Sequence, residues 1–216
     1  RTIKDMGGFP EVSLEQTLEI ADRFSESYAA EHFSQLDSQR LSYLFRRNTQ
    51  ELRMVVQELW EELQQSKFQP EDFEVNFGSH DGLPPIAIPG SSMNALLQGF
   101  VDRVDVWNDG HNSYYRVVDY KTGRKDFDYC DVFNGIGLQM LLYLFALEQG
   151  GEELLGENLI PAGVQYFAAR SPFVTANGRL SEEEAAAEHG KNLKRKGLIL
   201  ADEAVVQAME PEGSAK

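Results

Sequence analysis

Apolar and polar positions change rhythm along this chain, and each rhythm predicts an element. Arg1–Pro10, with Gly7-Gly8 and Pro10, reads as a loop. Ser13 and Gln16 form a capping box, which predicts a helix from there to about Glu31. Leu41, Leu44, Phe45, Leu52, Val55, Val56, Leu59, Trp60 and Leu63 recur at three- and four-residue steps. That stripe predicts a second helix over Ser38–Gln65, packed in the core. After Ser66 the period drops to two: Phe73, Val75 and Phe77 alternate with Glu74 and Asn76, as in a strand. Residues 78–82 and Pro84-Pro85 break the pattern, and Ile86–Ile88 and Leu96–Trp107 read as extended. Asn108-Asp109-Gly110 is a hairpin signal, so Leu96–Trp107 and Tyr114–Tyr120 should pair antiparallel. A strongly apolar helix is predicted over Gly135–Leu147, closed near Gly150-Gly151. Ala162–Ala168 reads as a buried strand, Glu182–Glu188 as an acidic helix start and Pro211–Lys216 as a frayed end.

Composition adds limits to this pattern. The chain has 216 residues, enough for one substantial domain, with 42% hydrophobic and 25% charged residues, as in ordinary globular proteins. No apolar run reaches the length of a membrane span, and no signal-peptide pattern opens the sequence. The one cysteine, Cys130, excludes an internal disulfide framework or a multi-cysteine metal site, which makes a reducing, intracellular setting the simpler expectation. It reads as a core or helix-edge residue. The net charge of −15 argues against broad nucleic-acid binding, which needs clustered Lys and Arg. Any such role needs a divalent metal or local basic patches. Arg103, Lys121, Arg124-Lys125 and the run 191–196 are the patches on offer, and solvated faces are the plain alternative.

The chemistry concentrates in Tyr114–Gly123, YYRVVDYKTG. Asp119 and Lys121 end an apolar strand and share one of its faces. An isolated D-x-K is usually an exposed ion pair worth under about 1 kcal/mol. Here a second carboxylate, Asp102, lies on the neighbouring hairpin strand, with sixteen residues and the turn between it and Asp119. Two carboxylates without soft ligands suit Mg²⁺ or Mn²⁺. Such an ion can bind a phosphodiester oxygen, activate water and offset charge building on phosphorus. Lys121 can steady the attacking hydroxide or the developing charge.

GFVDRVD, VVDYKTG and GLQMLLY resemble the PD-(D/E)XK nuclease superfamily in its RecB-like branch. Longer segments, among them QRLSYLFRR, LQGFVDRVDVW, VVDYKTGRKDFDYCDVFNGIGLQMLLYLFAL and IPAGVQYFAARSPFV, are similar to the C-terminal nuclease domain of the B subunit of AddAB-type helicase–nucleases. The resemblance implies a restriction-endonuclease-like α/β/α core around a central mixed sheet, preceded by N-terminal helices. It implies a single nuclease domain over 1–216, with a helical part at 1–66, the sheet and motif helix at 67–175 and a helical or irregular part at 176–216. By the same resemblance Asp102, Asp119 and the carbonyl of Tyr120 hold Mg²⁺ or Mn²⁺, Lys121 is catalytic, and Gln139 and Tyr143 complete a Q-x-x-x-Y motif on one helix face. Glu74 is expected in the site wall, and Arg103 and Arg124 as DNA phosphate contacts, with plain surface solvation the equal alternative.

The implied activity is cytoplasmic exonuclease cleavage of single-stranded DNA during double-strand break processing, with the helicase–nuclease A subunit as partner. Two motif elements have no counterpart. His32 does not match the family's upstream His, and the cysteines of an iron–sulfur cluster known in many B subunits are absent. The chain thus resembles a fragment of a longer parent, and the isolated piece is expected to have a weakened site. Other readings are a non-catalytic module bracing a helicase complex at DNA ends, and another nuclease of this fold such as a CRISPR adaptation nuclease.

Overall fold

A computed structural model describes residues 1–33, 39–78, 82–123, 126–169, 181, 184 and 195–211. The first ten residues are more ordered than a loop: α1 (Thr2–Asp5) and a 3-10 turn (Phe9–Glu11) flank Gly7-Gly8. Then come α2 (Leu14–Phe33), α3 (Gln39–Gln65), β1 (Gln69–Phe77), β2 (Ile86–Ile88), β3 (Ala95–Leu97), β4 (Gly99–Asn108) and β5 (Ser113–Lys121). They are followed by α4 (Tyr129–Phe133), α5 (Gln139–Gly150), α6 (Glu152–Leu155), β6 (Leu159–Ala168), β7 (Lys196–Ile199) and α7 (Glu203–Met209).

The expected capping box starts α2. The Ser13 amide donates to Gln16 Oε1 at 3.0 Å, and the Gln16 amide donates to Ser13 Oγ at 3.2 Å. This satisfies two of the helix's orphan donors reciprocally. The stripe on α3 is only partly core. Val55 and Leu63 are buried, whereas Leu44 and Leu52, nearer its start, are exposed. An apolar stripe says which face wants cover but not how much cover the fold supplies.

β1, β4, β5, β6 and β7 form one mixed sheet in that order. Among its described strand pairs, only β5–β6 is parallel. β4 and β5 pair around the predicted turn, where Asp109 Oδ1 accepts the amides of His111 and Asn112 at 2.8 and 2.7 Å. The extended stretch expected over Leu96–Trp107 breaks at Gln98: β3 pairs with β2 in a separate ribbon, and β4 enters the sheet. The predicted helix over Gly135–Leu147 also begins later. Gly135 and Gly137 have φ of +79° and +69°, a left-handed backbone that suits glycine and ends any helix. The acidic helix start at 182–188 lies outside the described residues except Glu184, which forms a capping pair with Ser181. Among residues 211–216 only Pro211 is described.

Helices cover both faces of the sheet, giving the α/β/α layering. On one face Met140, Tyr143, Ala146 and Leu147 of α5 pack on Tyr115 and Val117 of β5 and Val164 and Tyr166 of β6. On the other, Val55 and Leu59 of α3 pack on Val118 and Phe167. Alternation along β5 therefore sends Val117, Asp119 and Lys121 toward α5, and Val118 and Tyr120 toward α3. No described helix is long and apolar enough to cross a membrane.

Candidate functional site

The β4–β5 ladder ends at Arg103–Val118. One step further, Asp102 faces the start of D-x-K, and its Oδ2 accepts the Tyr120 amide at 2.8 Å. A carboxylate thus replaces the backbone carbonyl that would have continued the ladder, and Asp102 is fixed against the D-x-K backbone. The other edge of these residues stays in the sheet: Asp119, Tyr120 and Lys121 pair with Tyr166, Phe167 and Ala168 of β6. The expected convergence of Asp102, Asp119 and Lys121 is therefore what the strands produce.

Asp119 is 3% exposed. Its Oδ2 lies 2.6 Å from Lys121 Nζ and otherwise meets no donor. Burial pushes the Asp119 carboxyl above its ordinary range; Lys121 pulls it down, and Asp102 pushes it further up. Burial also works against the Lys121 charge. The hydrogen bond and charge of Asp119, then Asp102, outweigh it and hold the ammonium above its ordinary value. Two carboxylates and one ammonium leave an excess of negative charge and an under-satisfied buried oxygen, which suits a small hard cation. Among the described residues no three His, Cys, Asp or Glu side chains form a ready metal cage. Two carboxylates, a carbonyl and waters are nonetheless an ordinary set for Mg²⁺, which keeps much of its hydration.

Gln139 and Tyr143 sit on the first turns of α5, and Gln139 Nε2 donates to Tyr143 Oη at 2.5 Å. Tyr143 packs edge-on against Phe77 at 5.7 Å. Gly99, the glycine of G-x-x-D, makes room for that pair: a Cβ there would meet Phe77 at 2.8 Å and Tyr143 at 3.5 Å. Among the described residues, no hydrogen bond or ion pair joins Gln139 or Tyr143 to Lys121. Glu74 is exposed with φ of +55°. The flanking pairs Phe73–Arg103 and Val75–Val101 leave it opposite Asp102 in the β1–β4 register.

Arg103 needs correction. Expected as a phosphate contact, it is 1% exposed and bound inside the protein. Arg103 Nε lies 2.8 Å from Asp105 Oδ1, and Nη1 donates to Tyr120 Oη at 2.8 Å. Its contacts with Asp105 and Tyr120 hold Arg103 on the α3 face, opposite Asp119 and Lys121. Arg124, Lys125 and residues 191–194 lie outside the described residues. Arg195 and Lys196 are already paired, with Glu62 and Asp126. Cys130 is exposed on α4, where Asp128 caps its amide at 2.7 Å. His32 is exposed at the end of α2, stacked on Tyr28 with ring centroids 4.1 Å apart.

Tyr166 joins the site without any signal in the sequence. It pairs with Asp119 across the parallel ladder, and Lys121 Nζ lies 5.9 Å from its ring centroid. Burial pushes its phenol up; Asp119 acts in the same direction and Lys121 against it. No local pattern reveals it, because the β5–β6 register depends on a crossover of nearly forty residues (122–158).

Known proteins match this sequence along most of its length. The profile of the PD-(D/E)XK nuclease superfamily matches residues 7–216. The B subunit of the ATP-dependent helicase/deoxyribonuclease of Clostridium novyi (strain NT) is 41% identical over 193 residues, covering 89% of this chain and 17% of that protein. The protein of the same name from Acetivibrio thermocellus is 40% identical over 169 residues, 76% of this chain and 15% of its own length. That of Listeria innocua serovar 6a is 34% identical over 211 residues, 97% of this chain and 18% of its own length. The chain thus spans less than a fifth of the length of these relatives. With a family match across nearly its whole length, the chain belongs to the PD-(D/E)XK nuclease superfamily.

Proposed function

We propose that this chain is the Mg²⁺- or Mn²⁺-dependent nuclease domain of a cytoplasmic helicase–nuclease, hydrolysing phosphodiester bonds of single-stranded DNA from an end during double-strand break processing. The partner on this reading is the complex's other helicase–nuclease subunit. The observation that carries it is the meeting of Asp102, Asp119 and Lys121 where the β4–β5 ladder stops. A surface ion pair would have left Asp119 solvated and satisfied. Instead it is buried with an oxygen that only Lys121 meets.

Asp119, the free oxygen of Asp102 and the Tyr120 carbonyl would hold the ion. The ion supplies Lewis-acid activation of water and neutralises charge at the scissile phosphate. Asp102 also keeps the D-x-K backbone in place through the Tyr120 amide. Lys121, held protonated, presents a fixed positive charge to the phosphate oxygens as negative charge grows on them. From the same position it can steady the attacking water. Gln139 and Tyr143 close the α5 side of the site. The acidity of the chain is offset locally by the ion and globally by the partner.

The test is degradation of single-stranded DNA with Mg²⁺ by the full-length protein and its partner, beside an Asp119→Ala version, with the partner's own nuclease inactivated in both. Loss of cleavage in Asp119→Ala is expected. Equal degradation by both would contradict the assignment and leave the chain a non-catalytic brace.

A further inference from the structure

We infer that Arg103 and Tyr120 are positioning residues for the metal site, anchoring the D-x-K backbone from the opposite face of the sheet. The inference rests on the metal-site reading above and deepens it. Tyr120 links the two faces. Its amide donates to Asp102 Oδ2, and its neighbours Asp119 and Lys121 point toward α5. Its own side chain points the other way, where its hydroxyl accepts from Arg103 Nη1 at 2.8 Å.

Arg103 is in turn held by a chain of alternating charges. Its Nη2 donates to Asp105 Oδ2 at 3.0 Å, and Arg116 Nε donates to the same oxygen at 2.9 Å. Arg116 Nη2 donates to Glu62 Oε1 at 2.9 Å, and Arg195 Nη2 donates to Glu62 Oε2 at 2.6 Å. The chain ties α3, β4, β5 and the start of β7 together. Arg103, Asp105 and Arg116 are each at most 2% exposed. A guanidinium buried beside Asp105 and donating to it through Nη2 has little freedom to turn, which steadies the Nη1–H that Tyr120 accepts.

Packing alone does not hold Tyr120. A cavity of about 550 Å³, bounded by the first ten residues, α2 and α3, reaches both Tyr120 and Arg103. The ladder to β4 has already ended. On that edge the backbone of Tyr120 is held by Asp102 and its side chain by Arg103. Losing the Arg103 contact frees the phenol to move toward the cavity. The strand segment, still paired with β6, then loses the side-chain anchor that refines the aim of Asp119 and the Tyr120 carbonyl on its β4 edge.

Direct Mn²⁺ binding to the full chain, followed by electron paramagnetic resonance of the free ion, reads this without any need for turnover. Asp119→Asn serves as the blank for weak binding to a surface of net charge −15. Tyr120→Phe keeps the ring on Phe167 and removes only the hydroxyl. It is expected to weaken site-specific Mn²⁺ binding by about 10-fold or more, as loss of outer partners does at other metal sites, with melting temperature little changed. Arg103→Lys keeps the charge beside Asp105 but not the fork that reaches Tyr120, and is expected to do the same. Wild-type affinity in Tyr120→Phe overturns the inference. So does a loss of affinity that merely follows a loss of folded structure. If wild type binds no better than Asp119→Asn, the metal-site reading itself fails, which is a separate result.

Discussion

The two faces of the central sheet both bury charge, but they balance it differently. Toward α3, Arg103, Asp105, Arg116 and Glu62 form a chain in which each charged group meets an opposite one, with aromatic rings against the guanidiniums. Toward α5, Asp119 and Asp102 share a single Lys121, so negative charge is left in excess; a buried oxygen met only by an ion pair occurs on both faces, Asp119 Oδ2 here and Asp105 Oδ1 there. Buried charge that is fully paired supports a structure; breaking one partner leaves another stranded. Buried charge left short of a partner costs stability and persists where a ligand or reaction completes it. The contrast separates the scaffold from the site more sharply than exposure does, since both sets lie well inside the molecule.

The largest effect should come from the α5 face and show in activity rather than stability. Asp119→Asn is expected to reduce single-strand DNA cleavage by more than about 100-fold. Its melting temperature should stay unchanged or rise, because the replaced carboxylate is one that burial disfavours. A fall in stability with activity retained would invert the comparison. The opposite pattern is expected for Asp105→Asn, which strands Arg103 and Arg116. Urea unfolding should show a loss of about 3–5 kcal/mol.

Lys121→Met should separate binding from chemistry, with cleavage strongly reduced and Mn²⁺ affinity kept or improved, since the ammonium competes with the cation for Asp119. Comparing single-turnover rates with Mn²⁺ titration checks this.

A pH dependence of stability is expected from the α3 face. Burial alone would raise the Glu62 carboxyl, but Arg116 and Arg195 outweigh it and hold it below its ordinary 4.5. A depressed folded value means that the stabilisation is complete above the unfolded value. It is lost as pH falls from about there through the lower folded value. Glu62→Gln should flatten that acid limb in denaturant titrations. The smallest effect is expected at Glu74, exposed and outside any carboxylate cluster among the described residues: Glu74→Gln should change cleavage by less than about threefold.

Much of the α5 face is legible in sequence. Alternation places Asp119 with Lys121, and the Asn-Asp-Gly turn places Asp102 across from them. The α3 face is less so. Charge alone misplaces Arg103, and parity does not rescue it: Val101 and Val104, three apart, both join the α5-face cluster, so alternation breaks between them. Asp105 and Arg116 are opposite each other in the hairpin register, which the turn fixes, so their pairing is within reach of the sequence. Glu62, Arg195 and Tyr166 are not, because each meets its partner through crossovers whose geometry no local pattern encodes. The exposed half of the α3 stripe is likewise hidden, since periodicity does not name the covering element.

Thermal unfolding with and without Mn²⁺ tests the central contrast most directly, because an ion that binds only the folded state must stabilise it, by about 2.7 kcal/mol at one hundred times its dissociation constant. Mn²⁺ is expected to raise the melting temperature of wild type and to leave that of Asp119→Asn where it was. Equal shifts in the two proteins would contradict it.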